Sequence, residues 1–149
     1  MQKLDTLGSL LQHPPATVFE GGLDAMQHCT SQGGIYLIGL ILDTPVTIDR
    51  PTNQTLQQGL YLYAGSAKGP GGLKARIARH LRPDKKIRWH IDQLTVHAKH
   101  MHAWGWQQGQ ECDLIALLLQ TGTVSIPVPR FGSSDCTSCP SHLVHWARL

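Results

Sequence analysis

The chain has 149 residues, enough for one compact domain around a single core. A hydrophobic share of 41% with a charged share of 15% excludes a disordered or acidic solvating segment. The formal charge of +3 is modest, and its distribution says more: Lys68, Lys74, Arg76, Arg79, His80, Arg82, Lys85, Lys86, Arg88 and His90 fall in one stretch with only Asp84 opposing them. Concentrated cations of this kind are the footprint of a phosphate-backbone contact, and charge alone describes a solvated helix face equally well.

Residues 1–30 read as an N-terminal extension ahead of a domain over 31–149. In the extension, Asp5 is placed to cap a short helix with Leu7, Leu10 and Leu11 on one face, ended by His13-Pro14-Pro15. No basic leader precedes an apolar run, and the apolar run at 35–42 is too short to span a bilayer. The expectation is a cytoplasmic protein whose four cysteines, Cys29, Cys112, Cys136 and Cys139, are reduced thiols.

From Gly34 the run GIYLIGLIL reads as a buried strand, followed by a Thr44-Pro45 turn and a second strand, Val46-Thr47-Ile48, pairing back on it. Residues 49–58 are polar, carry Pro51 and Asn53, and read as a loop; GLYLYAGS at 59–66 is a third strand. Gly69-Pro70-Gly71-Gly72 leads into a helix with Leu73, Ile77 and Leu81 as its buried stripe and Arg76, Arg79 and His80 on the flanks. A short helix is expected over 90–96, a strand over 99–107 and a helix over 110–120, with Glu111 in its first turn. The tail is a loop punctuated by Pro and Gly, then an apolar segment from Ser141. The order predicts an α+β (mixed α/β) fold: a small, mainly antiparallel central sheet flanked by helices.

Individually, the polar members of this pattern have plain structural roles. A Tyr in an apolar strand usually packs, an Arg on a helix flank is usually solvated, and a Glu opening a helix serves its dipole. Together they form a pattern. Gly34-Ile35-Tyr36, Tyr63-Ala64-Gly65, Arg76-x-x-x-His80 and a later helix opened by Glu111 resemble the GIY-YIG superfamily of metal-dependent nucleases. A closer resemblance, carried by YAGSAKGPGGLKARIARHLR, KKIRWHIDQL, ECDLIALLL and the Cys- and His-bearing tail, is to an uncharacterised branch found stand-alone or fused to endonuclease III-type repair enzymes. It runs from about Gly34 to the C-terminus.

The resemblance implies an endonuclease hydrolysing phosphodiester bonds in DNA, in repair, recombination or defence against foreign DNA. Tyr36 would be the general base, Tyr63 would orient the phosphate or the water, and Arg76 would contact phosphate. His80 would contact phosphate or hold the tyrosine pair, and Glu111 would bind one Mg²⁺ or Mn²⁺. These residue types suit the chemistry: a hard carboxylate holds a largely hydrated Mg²⁺, and an arginine fork matches phosphate oxygens. The sequence departs from the pattern at YAG for YIG, at Ser66, where many members carry Lys, and in lacking a late Asn. The alternative resting on these departures is a catalytically weak or inactive nucleic-acid-binding module of the same fold.

The basic residues expected to contact nucleic acid are Lys68, Lys74, Arg79, Lys85, Lys86, Arg88 and His90. Trp89 in their midst reads either as a base-stacking platform or as a core residue, with Asp92 capping or pairing locally. Cys136-x-x-Cys139-x-x-His142 offers ligand types for zinc, with Cys112 or His145 as candidates for a fourth. The same thiols also read as structural or redox-active, which makes a zinc- or redox-responsive protein the second alternative. Gly132-Ser133-Ser134-Asp135 is loop chemistry, with small hydroxyls and a carboxylate placed to bond backbone or ligand.

Overall fold

The computed structural model describes residues 17–133 and 139–146. The expected Asp5-capped helix, together with Ser134, Asp135 and Cys136, lies outside these residues. The long apolar runs form the central strands β2 (Gly34–Leu42) and β5 (Gly59–Ala67), paired antiparallel along their full length. Both are buried on both faces, which is why each reads as a continuous apolar stretch with little alternation. On the far side of β2 lies strand β6 (His100–Trp106), also antiparallel.

Two short outer elements extend the sheet. β1 (Phe19–Gly21) pairs with β6, and β8 (Leu143–Trp146) pairs with β5 and with β7 (Val124–Ser125). The order is β1-β6-β2-β5-β8-β7, every pairing antiparallel. β1 falls in the stretch read as an extension, and a 3-10 helix, Leu23–His28, follows it. Phe19, Met26 and Cys29 are part of the core, so residues 19–29 are packed into the same unit as the motifs.

Val46–Ile48 forms the expected strand, β3, but does not pair back on β2. It pairs with β4 (Gln54–Leu56), which lies within the stretch read as a loop, and the two make a separate ribbon. The Thr47 and Thr55 hydroxyls hydrogen-bond across this ribbon at 2.9 Å. Val46, Ile48 and Leu56 turn inward, and this burial gives the short ribbon an apolar face to pack.

Helix α1 (Gly72–Leu81) covers one face of the sheet with the four-residue stripe Leu73, Ile77 and Leu81, all buried. Burying each such side chain contributes about 1.5–3 kcal/mol, well beyond what helix propensity supplies. The one-turn helix α2 (Asp92–Thr95) packs beside it. Helix α3 (Glu111–Gln120) covers the opposite face through Leu114, Ile115 and Leu118, against Leu37, Leu62, Trp104 and Trp106. The result is a three-layer α+β fold with the sheet in the middle. Among the described residues, no helix is long and apolar enough to cross a membrane.

Candidate functional site

Strand alternation places Tyr36 and Tyr63 on the α1 face, where Tyr36 stands opposite Gly65 on β5 and Gly105 on β6. Glycine at 65 is needed for space: a Cβ there would overlap the Tyr36 ring and its hydroxyl. Tyr63 is opposite Ile38, which makes it the diagonal neighbour of Tyr36. Gly132 lies against the Tyr63 ring, where a Cβ would come to 2.7 Å, and its φ of 68° is itself a glycine conformation.

Tyr36, Tyr63, Arg76 and Glu111 line one cleft of about 180 Å³, together with Gly65, Ser66, Trp89, Gly132 and His142. Arg76 comes from α1 and is steadied by donating to the Ser66 carbonyl at 3.2 Å. Glu111 opens α3 where the outer end of that helix meets the ends of β2 and β5. It also lines an adjoining groove that carries Lys68, Gly34 and Gln110. Four of the five expected catalytic residues thus reach one concavity. The fifth, His80, stands behind them.

His80 is fully buried on α1, with its Nε2 2.6 Å from the Tyr36 hydroxyl. Its ring also packs against Tyr63 and Trp89. Burial, aided by the Lys85 charge, lowers its pKa to about 3, so the imidazole is neutral at physiological pH. Burial and the neighbouring Tyr63 push Tyr36 far above the ordinary phenol range, against the opposing Arg76 charge. Tyr63 is raised to about 12, by burial first and then by Glu111. The resting pair is therefore a phenol hydrogen-bonded to a neutral imidazole, and the imidazole tautomer sets which of the two donates. A free phenolate at Tyr36 is not the resting state.

The basic residues divide into two groups. Arg79 forms a two-pronged ion pair with Asp92, at 2.9 and 2.8 Å, and Asp92 also accepts from the Arg88 and Trp89 backbone N–H groups. Asp92 thus has the local pairing role named for it. Lys85 donates to the Arg79 and His80 carbonyls, satisfying the end of α1. His90 Nδ1 accepts from Gly132 N–H at 2.9 Å and so positions the loop beside Tyr63. Lys68, Lys74, Lys86 and Arg88 are exposed, with charges available to a polyanion. Trp89 is partly exposed at the rim of the cleft, with the Arg76 and Arg79 guanidinium carbons 4.6 and 4.1 Å from its ring centre.

The Arg79–Asp92 pair gives a stability prediction. Burial alone would raise the Asp92 pKa, but the Arg79 guanidinium and the two backbone donors bring it down to about 2. A carboxyl depressed in the folded state stabilises above its unfolded pKa and loses that contribution as pH falls through the folded value. Asp92→Asn should therefore cost roughly 2 kcal/mol at neutral pH. In urea titrations it should also flatten the acid loss of stability between about pH 4 and pH 2.

A second cluster adjoins the first. Cys112, next to Glu111 on α3, meets Cys139 and His142 from the approach to β8. His142 lines the cleft as well. Of the two residues considered as partners for the tail ligands, Cys112 is brought in and His145 is not; His145 stacks on Tyr61.

A family model described as Domain of unknown function DUF123 matches residues 35–149. The chain belongs to the DUF123 family. The matched region takes in every residue of both clusters. No curated protein and no solved structure matches the chain.

Proposed function

We propose that this DUF123 protein is a metal-dependent endonuclease that hydrolyses phosphodiester bonds in DNA, a member of the GIY-YIG superfamily in mechanism as well as in motif. The observation that carries the reading is the convergence of Tyr36, Tyr63, Arg76 and Glu111 on one cleft, with His80 bonded behind Tyr36. A cytoplasmic setting, where the thiols stay reduced, belongs to the same proposal.

The donor chemistry of the cleft fits a hard divalent cation. Glu111 supplies a carboxylate at an open concavity, and among the described residues that line it Glu111 is the carboxylate suited to Mg²⁺ or Mn²⁺. When bound, the cation supplies Lewis-acid polarisation of the phosphate and a more acidic water. Arg76, fixed by Ser66, presents its remaining N–H donors to the non-bridging oxygens, where negative charge grows in the transition state. Tyr36 accepts the proton of the attacking water while passing its own to His80 Nε2, a relay that needs no free phenolate. Tyr63, held by Gly132 and Phe131, orients the scissile phosphate. Lys68, Lys74, Lys86 and Arg88 hold the flanking backbone, and Trp89 offers a face to an unstacked base.

The test is cleavage of supercoiled and linear DNA by the purified chain in Mg²⁺, Mn²⁺ or chelator. Cleavage should require the divalent ion, and Arg76→Ala should slow it by about 10²–10³-fold. Salt-sensitive DNA binding with no cleavage in any metal would replace this reading with that of a binding module.

A further inference from the structure

We propose that Cys112, Cys139 and His142 form a second metal site, distinct from Glu111, that takes a thiophilic divalent cation of the zinc class. Their ligand atoms all lie within 4.8 Å of one another, although Cys112 on α3 is 27 residues from Cys139 in the approach to β8. A tetrahedral site with metal–sulfur bonds of about 2.3 Å and metal–nitrogen bonds of about 2.0–2.1 Å has sulfur–nitrogen edges of about 3.5 Å and sulfur–sulfur edges of about 3.8 Å. The Cys112 Sγ to His142 Nε2 distance of 3.7 Å is already close to the first value. The two sulfurs stand 2.6 Å apart and have to part by about 1 Å, on side chains that are both partly exposed.

The composition decides which cation. Two thiolates and an imidazole are a soft to borderline set that selects zinc over magnesium, the reverse of the carboxylate next door. A disulfide between Cys112 and Cys139 would account for the thiols and leave the imidazole unexplained. A shared cation accounts for all three groups meeting at one point. It would also give the fold a cross-link. Cys112 lies in the first turn of α3. The His142 main chain donates to Phe131 and accepts from Ala64 on β5. A cation here would tie the start of α3 to the junction of β5 and β8.

The experiment uses the reduced full chain, freed of loosely held metal by dialysis and analysed by plasma emission. We expect one zinc per chain, displaced when the protein is unfolded, and a fall in melting temperature on strong chelation. Cobalt added to the stripped wild-type protein should give a thiolate charge-transfer band with intense tetrahedral d–d bands, reversed by zinc. Cys112→Ser and His142→Ala should lose uptake, while Glu111→Gln keeps it and so separates this site from the magnesium site. Failure of the reduced wild-type chain to take up zinc or cobalt overturns the proposal, even if both variants misfold. So does a cobalt spectrum without the thiolate band, or a Cys112–Cys139 disulfide in a chain that stays metal-free after reduction. Because uptake is read without nucleic acid, the outcome does not depend on whether the chain cleaves DNA.

Discussion

Glu111→Gln should lower Mg²⁺-supported cleavage by about 10³-fold or more. The substitution keeps the size of the side chain and removes its charge. Glu111 is a carboxylate on the cleft that Tyr36, Tyr63 and Arg76 share, so in the proposed mechanism the cation loses a protein anchor while the rest of the site stays in place. A bound cation contributes several kcal/mol of transition-state stabilisation, and each 1.36 kcal/mol is tenfold in rate. The cost to folding is smaller. Glu111 opens α3, where a negative charge near the helix N-terminus contributes about 0.3–1 kcal/mol. Single-turnover cleavage at saturating DNA, with melting curves on the same samples, separates the two effects. A glutamine variant cleaving within tenfold of wild type would remove Glu111 from the mechanism.

The central part of the fold could be read from sequence because its signals are local and strong. The bounds of β2 and the start of β5 follow from apolar nonapeptides buried on both faces, and α1 from the Gly-rich break and a four-residue stripe. β1, β4, β7 and β8 are two to four residues long and form only because a neighbouring strand offers hydrogen bonds, a condition no local pattern records. The same applies to side-chain roles. Tyr36, Tyr63, Arg76 and Glu111 could be grouped by motif, but charge counting could not tell Lys86, which is exposed, from Arg79, which is committed to Asp92. Nor could it tell that Lys85 ends a helix. The meeting of Cys112 with His142 depends on where α3 begins relative to β8, and that is settled by packing across the sheet.

Tyr36→Phe should slow cleavage by about 10²–10⁴-fold, the range for losing a positioned general base. The prediction can be made sharper because Tyr36 does not stand alone: its hydroxyl and His80 Nε2 are 2.6 Å apart, and the proposed relay runs through both. If they act as a unit, His80→Ala should cost a similar factor, and the double variant little more than either single one. Independent roles would instead multiply the two losses. The phenylalanine variant also leaves a buried nitrogen without its partner, at about 1–3 kcal/mol of stability, so folded fractions must be measured alongside rates. The choice of pH follows from the same burial. His80 has its folded pKa lowered to about 3, so the unfolded chain takes up a proton near pH 6.5 that the folded chain refuses. Stability is then full above about pH 6.5 and falls as the pH drops toward 3, and kinetics belong above that limit. There Tyr36 stays a phenol and His80 stays neutral, so neither should put an inflection in the rate between about pH 6.5 and 9. An inflection that is lost in His80→Ala would show instead that the imidazole titrates in the working enzyme and that the relay begins from its charged form.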